Sequence, residues 1–496
     1  MSLIRIVTIR FVLSRMMSNW FNCAIMNSLA SADTMNRRQW LTRSLALGTG
    51  LAGASLLPSC AFPPKRHPSV SSPFSATDDA FLLDLQRACV LFFWENADPL
   101  TGLIKDRSSA DGTDDRPAAS IAATGFGLTG LCIADIHGFL PARELQRRVL
   151  TTLRYLWSEL PNEHGFYYHF IDARTGRRHW NCELSSIDTA ILLCGVLSCR
   201  QFFRDPEIRR LATRIYERVE WPWMLNDGDT FSHGWKPESG FLPHRWNQYS
   251  ELMMIYLLAL GSPTHPVPAS TWEAWERPWF EYQGFRYINP HAPLFIHQYS
   301  HAWFDFRNRR DTHADYFENS VLATRAHKVF CLNLRDRFPD YEENLWGITA
   351  SDTAKGYRAW GGPPEHGDLD GTLVPCAAAG SLPFLPNETL AVLKTMRERF
   401  GKTIWKRYGF IDAFNPLTNW FNPDVIGIDV GITLLMTENA RSGQVWKTFS
   451  SNPEIPAGMR RAGFQPSSSQ HLLSPSSNDH MTRFQKAQTS SMNVRC

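Results

Sequence analysis

The chain has 496 residues, 43% hydrophobic and 20% charged, an ordinary globular balance with ample material for a large core. Its 51 Lys plus Arg against 48 Asp plus Glu leave a formal net charge of +3, too small an excess to gather nucleic acid or an acidic membrane surface. Ten cysteines are scattered without a CxxC pair, which argues against a structural zinc site, and a chain of this length needs no disulfide framework.

In chain order, residues 1–34 precede what reads as a targeting signal, so translation is expected to start at Met35. Met35-Asn36-Arg37-Arg38-Gln39-Trp40-Leu41 resembles the signal read by the twin-arginine exporter. The Gly- and Ala-rich apolar run from Ser44 to Leu57 is too short to span a membrane as a helix. It ends in Leu57-Pro58-Ser59-Cys60, which looks like a lipoprotein cleavage box with Cys60 as the lipidated residue. Export to the periplasm, with membrane attachment through Cys60, is the expectation. Residues 61–77 read as a tether.

Residues 78–450 read as one domain with recurrent helical periodicity. Phe81, Leu82, Leu85, Cys89, Phe92 and Phe93 share a face of a first helix. Ile121, Leu128, Leu131 and Cys132 line a second, where Gly125, Gly127 and Gly130 allow neighbours to approach closely. Leu145, Val149, Leu153 and Leu156 mark a third. Further helical runs are 187–202, 206–219, 251–260, 316–334, 388–400 and 428–439. Strand-like alternation is sparse, with 165–170 the best candidate for a short hairpin. The segment from Glu251 is apolar nearly all round, as an inner helix of an all-α barrel would be. A helical-repeat solenoid is the alternative, though no fixed period is visible. Residues 451–496, rich in Ser, Pro and Asn, are expected to form a disordered tail.

Glu251 is the strongest chemical signal. It lies one turn before Met254 and Ile255 and shares their apolar face, where lost hydration raises a carboxyl pKa and fits it as a general acid. The plain alternative is a first-turn Glu complementing the helix dipole. Trp235, His244, Arg245, Trp246 and Tyr249 supply stacking faces and donors beside it. With 18 Trp in the chain, such flat faces suit sugar rings, although they equally fill a large core. Glu183 precedes a helix starting near Ser185 and is a candidate second carboxylate. Asp188 reads either as catalytic or as the capping-box partner of Ser185. His297 and His301, four apart, could bind metal on a helix, but no third ligand accompanies them. With Trp303, Asp305 and Arg307 they read better as groups lining a sugar subsite. Asp370 and Asp412 sit in Asp- and Gly-rich loops that either ring a cleft or are plain turns. No metal or other cofactor is expected.

In order, the segments ELSSIDTA at 183–190, WNQYSE at 246–251, LGSPTHP at 260–266 and PLFIHQYSH at 293–301 resemble the bacterial glucoamylase-like family that includes the endo-β-1,2-glucanases. WGITASD at 346–352, DGT at 370–372, GSLPF at 380–384 and YGFIDAFN at 408–415 continue the resemblance over nearly all of 78–450. It implies an (α/α)6 toroid with short β-hairpins in its loops, Glu251 as general acid, and Glu183 on the water side. The stretch at 175–182 lacks the additional Asp residues of the glucanases, a departure that bears on the base and the linkage. The expected activity is inverting hydrolysis of a β-glucan, with β-1,2-glucan the substrate the resemblance implies, an oligo- or polysaccharide as the partner and no nucleic acid. A transglycosylase with the same site and a non-catalytic glucan-binding lipoprotein are the rivals.

Overall fold

The computed structural model describes residues 72–291 and 293–467. The signal-like segment, Cys60, most of the tether and residues beyond 467 lie outside the described residues. The helices are α1 (Ala76–Glu95), α2 (Ile121–Ile136), α3 (Ala142–Ser158), α4 (Ser186–Phe202) and α5 (Pro206–Glu217). They continue as α6 (Trp221–Leu225), α7 (Met253–Gly261), α8 (Ser270–Glu273), α9 (Tyr299–Trp303) and α10 (Tyr316–Asn333). The last five are α11 (Pro375–Ala379), α12 (Pro386–Ile404), α13 (Gly427–Ser442), α14 (Gln444–Ser450) and α15 (Glu454–Arg461). The protein is predominantly helical.

Two kinds of helix alternate. In α3 the buried residues are Leu145, Val149, Thr152, Leu153 and Leu156, and in α5 they are Ile208, Leu211, Ala212, Ile215 and Tyr216. That spacing buries a single face, and the remaining positions are largely charged. By contrast α7 and α9 are buried at every position, and α2, α4 and α13 nearly so. These helices carry few charges, so their position follows from burial, at about 1.5–3 kcal/mol for each large apolar side chain removed from water. The one-sided helices pack outside them: α3 and α5 against each other, α3 on α2, and α5 on α4.

Glycine sets the closest approach. A Cβ on Gly195 of α4 would fall on the Gly125 carbonyl of α2, and one on Gly125 would meet the Ile191 backbone, so the two helices cross with backbones in contact. Gly127 and Gly130 accommodate side chains instead: Ile104 and Phe93 against the first, Leu434 and Phe93 against the second.

The strands are two to four residues long, too short for their periodicity to be read from sequence. Those that matter for the site are β1 (Arg107–Ser109), β2 (Ala118–Ser120), β3 (Phe170–Asp172) and β4 (Leu184–Ser185), followed by β5 (Gly234–Lys236), β6 (Gly240–Phe241) and β7 (Asp424–Ile426). All pair antiparallel: β1 with β7, β2 with β3, and β5 with both β4 and β6. Three of them run directly into buried helices, β2 into α2, β4 into α4 and β7 into α13. Ser120 and Ser185 cap the first two by accepting from Ala123 and Asp188 N–H. These ladders therefore fix the N-terminal ends of the buried helices relative to one another.

Two expectations need correction. The ordered chain does not stop near residue 450, because α15 packs on α7 with Gly458 against the Leu257 carbonyl, and Glu454 pairs with buried Arg200. The Ser- and Pro-rich composition hid an apolar face made by Ile455, Gly458 and Met459. The second concerns α7, which begins at Met253 rather than Glu251. The Glu251 carbonyl takes a hydrogen bond from Ser300 Oγ at 2.8 Å, and Ser250 Oγ accepts from Leu252 N–H, so the chain turns before the helix starts.

Candidate active site

Glu251 sits in that turn, half-buried at the entrance to α7. Burial raises its pKa to about 7, assisted by the nearby Asp188 carboxylate, against a smaller opposing backbone hydrogen bond. Near neutrality the carboxyl therefore exists in both forms, as a proton donor requires.

Asp188 occupies the first turn of α4. Its backbone N–H donates to Ser185 Oγ at 3.2 Å, while Ser185 Oγ–H donates to Asp188 Oδ2 at 2.5 Å. The capping role is thus real, yet Oδ1 is left facing His169 Nε2 at 3.5 Å. His169 Nδ1 lies 3.2 Å from Glu183 Oε1, so one imidazole bridges the two carboxylates. Burial would discharge His169, but Asp188 and Glu183 together raise its pKa to about 9. The imidazolium in turn holds Glu183 down at about 2 despite burial. For Asp188 burial prevails over the His169 charge and the pKa rises.

A second acidic group stands at the ends of β1 and β7. Arg107 donates to Asp352 Oδ2 at 2.8 Å and to Asp106 Oδ2 at 3.2 Å. Asn422 Nδ2 donates to both Asp352 and Asp412, and Asp412 also accepts the Asp352 N–H at 2.8 Å. Asp412 faces Asp429 of the first turn of α13, each with a buried carboxylate oxygen left without a hydrogen-bond partner. Burial and the crowding of acids raise both pKa values, that of Asp429 to about 6. Tyr299, at the start of α9, lies within reach of both the Glu251 and Asp429 charges, which tie the two groups together. Acids outnumber cations along this end of the buried helices.

The other candidates divide by position. Trp235, on β5, pairs with Leu184 beside Glu183, and Gly234 abuts the Glu183 side chain, so this strand flanks the carboxylates. Trp246 donates its indole N–H to Ser186 Oγ at 2.8 Å and stacks on His233 at 4.1 Å. His244 lies next to them, with its carbonyl accepting from His233 N–H. Arg245 is a correction: its guanidinium is spent on Thr230 and on the Leu225 carbonyl, which staples a loop.

Tyr249, His297, His301 and Trp303 are corrections as well, because all four are essentially without solvent exposure. Tyr249 Oη lies 3.2 Å from His297 Nδ1, Ser320 Oγ lies 3.1 Å from His301 Nε2, and Trp303 donates to Thr129 Oγ1 at 3.0 Å. Burial drives both imidazoles down to about 3, so they are neutral. These side chains are packed within the helices, with no face left open to a ligand. Asp305 and Arg307 pair with each other after the C-terminal end of α9, and the guanidinium lies over Trp446, near Gly443 where α13 ends. That is the opposite end of the helices from Asp429. Asp370 caps its own turn through Thr372 and accepts from Asn415, as a plain turn does. Asp412 does join the acidic group, though it is buried within it.

His169, Asp106, Arg107, Asp352 and Asp429 were not among the sequence candidates. One signal was available for Asp429. It follows Ile428 at the third position of a buried helix, as Asp188 follows Ile187. For His169 there was none, because nothing in an aromatic hairpin sequence announces a bridge to acids 14 and 19 residues later.

Comparison with known proteins places this geometry. The Glycoamylase family model, described as "Putative glucoamylase", matches residues 243–453. A curated Parabacteroides distasonis protein named exo beta-1,2-glucooligosaccharide sophorohydrolase (non-reducing end) is 28% identical over 432 residues, covering 79% of this chain. The chain spans 59% of that protein's length. The structure of a "putative glucoamylase" from Bacteroides uniformis superposes with a TM-score of 0.74 at 29% identity, over 79% of this chain and 99% of that one. An endo-beta-1,2-glucanase from Chitinophaga pinensis, solved with sophorotriose and glucose, gives 0.72 at 27% identity, over 79% and 99%. By sequence and by fold, the chain is similar to bacterial glucoamylase-like proteins, among them an endo-β-1,2-glucanase.

Proposed function

We propose that the chain hydrolyses β-1,2-linked glucan with inversion at the anomeric carbon. The observation that carries the reading is the half-buried Glu251 carboxyl, poised at about 7 beside a carboxylate pair that stays ionised or shares the His169 proton. Glu251 donates its proton to the glycosidic oxygen as the bond to the anomeric carbon breaks. A water on the opposite face of the ring attacks that carbon and gives up its proton toward Glu183, directly or through a further water. Asp188 acts through His169, whose bridging position sets the orientation of Glu183. Inverting enzymes hold their carboxyls about 6.5–9.5 Å apart to admit the water.

The alternation of fully buried and one-sided helices supports an (α/α)6 toroid, with the acidic groups at the N-terminal mouth of its inner helices. The names of the Parabacteroides and Chitinophaga relatives support β-1,2-glucan as the substrate class. The twin-arginine segment and Cys60 support export and lipid attachment; Cys60→Ser should then move the protein from the membrane fraction to the soluble periplasm, and unchanged fractionation would refute anchoring.

The direct test is release of reducing ends from a panel of linkage-defined glucans. The native chain should act on β-1,2-glucan, and Glu251→Gln should lose about 10³-fold in kcat while still binding it. No activity of the native chain on any panel member, or retained turnover in the variant, would refute the assignment.

A further inference from the structure

One large aromatic side chain near the carboxylates is held out toward solvent. Trp180 is 41% exposed, although its neighbours along the chain are well anchored. Arg178, three residues after Thr175, donates to the Asn181 carbonyl at 2.8 Å and to the Cys182 carbonyl at 2.5 Å, and pairs with Glu238. His179 N–H donates to the Phe170 carbonyl at 2.9 Å, and Cys182 Sγ accepts from Phe170 N–H and donates to the Phe170 carbonyl, both at 3.2 Å. The loop is therefore clamped to β3 on both sides of the indole.

The backbone at the clamp is costly. Trp180 and Asn181 both adopt left-handed conformations, with φ of 52° and 50°. A bulky residue rarely takes that region, and two in succession persist only where surroundings over-determine them. Here the effect is to present the indole at the rim rather than fold it inward. The ring also lies in line with the catalytic groups. Trp180 meets Phe170 edge-on at 5.1 Å, Phe170 stacks on His169 at 3.8 Å, and His169 touches Glu183 at 3.2 Å. An aromatic line thus runs from the carboxylates to an exposed flat face.

We infer that Trp180 is the stacking platform of an outer subsite, taking a glucose unit of the substrate one or more residues beyond the bond that is cleaved. This rests on the glucan reading above. A pyranose ring presents C–H groups on one face and hydroxyls at its edge, which suits an indole that is rigidly held and open to water at its rim. The clamped loop supplies that rigidity, so ordering the platform costs the substrate little on binding.

Calorimetric titration of the full chain carrying Glu251→Gln, with linear β-1,2-glucooligosaccharides of increasing length, tests the inference. Adding Trp180→Ala should weaken binding of the longer oligosaccharides about tenfold, with a smaller loss on the shortest. Trp180→Phe, which keeps a flat face, should recover most of that affinity. Equal affinities with and without Trp180→Ala at every length, or a loss that does not depend on length, would overturn the outer subsite alone. If the Glu251→Gln chain binds no β-1,2-glucan at any length, the glucan reading fails and the subsite with it.

Discussion

Glu183 and Glu251 carry the same carboxyl and are driven in opposite directions. Both are withdrawn from bulk water, which by itself favours the neutral acid. Glu183 has the His169 imidazolium at hydrogen-bond distance and falls to about 2. Glu251 has no such cation, feels Asp188 instead, and rises to about 7. In the proposed mechanism these separated pKa values divide the roles of acid and base between the two groups. They also have a stability consequence. A group whose folded pKa exceeds its unfolded value near 4.5 contributes stability that is complete below 4.5 and lost as pH rises through about 7. His169, raised from 6.5 to about 9, loses its contribution in the same direction, but equally in native and variant chains. Glu251→Gln should therefore match the native chain in urea denaturation at pH 5 and exceed it by about 2 kcal/mol at pH 8.5. Equal stabilities at both pH values would contradict the burial argument.

At the scale of elements, the buried helices are held by close backbone contact as well as by apolar area. The α2–α4 crossing has carbonyls, not flexible side chains, opposite Gly125 and Gly195. Gly195→Ala gains helix propensity but forces the two backbones apart, so a net loss of about 3 kcal/mol is expected in thermal or urea unfolding. An unchanged midpoint would mean the helices are not in contact there. Much at this scale was legible in the sequence. The ranges read as 187–202, 206–219 and 316–334 correspond to α4, α5 and α10, because apolar runs of that length, one-sided or all-round, bury themselves most readily as helices. The five-residue α9 and α11 were not legible, since so short a run carries less than two turns of periodicity. Most strands were lost for the same reason, except at the hairpin read at 165–170, where Phe166–Tyr167 pairs with Asn162–Glu163. Helix α15 was missed because its seat on α7 is a small-residue contact rather than a hydrophobic run.

At the scale of the whole molecule, the chain brings acids from distant segments to the N-terminal ends of its buried helices. Asp188 enters with α4, Glu251 with the turn before α7 and Asp429 with α13, and the ladders β4–β5 and β1–β7 brace the first and last of these ends. Glu251 was readable because its apolar neighbours lie beside it in sequence. The position of Arg307 and Asp305 at the far end was not, since only the direction in which each helix runs decides which loops share a mouth. Everything at this mouth depends on the protonation of one carboxyl. The pH dependence of kcat/KM on β-1,2-glucan measures it most directly. The account predicts an alkaline limb with an apparent pKa near 7, as Glu251 loses its proton. A rate that stays level from pH 6 to pH 9 would contradict it.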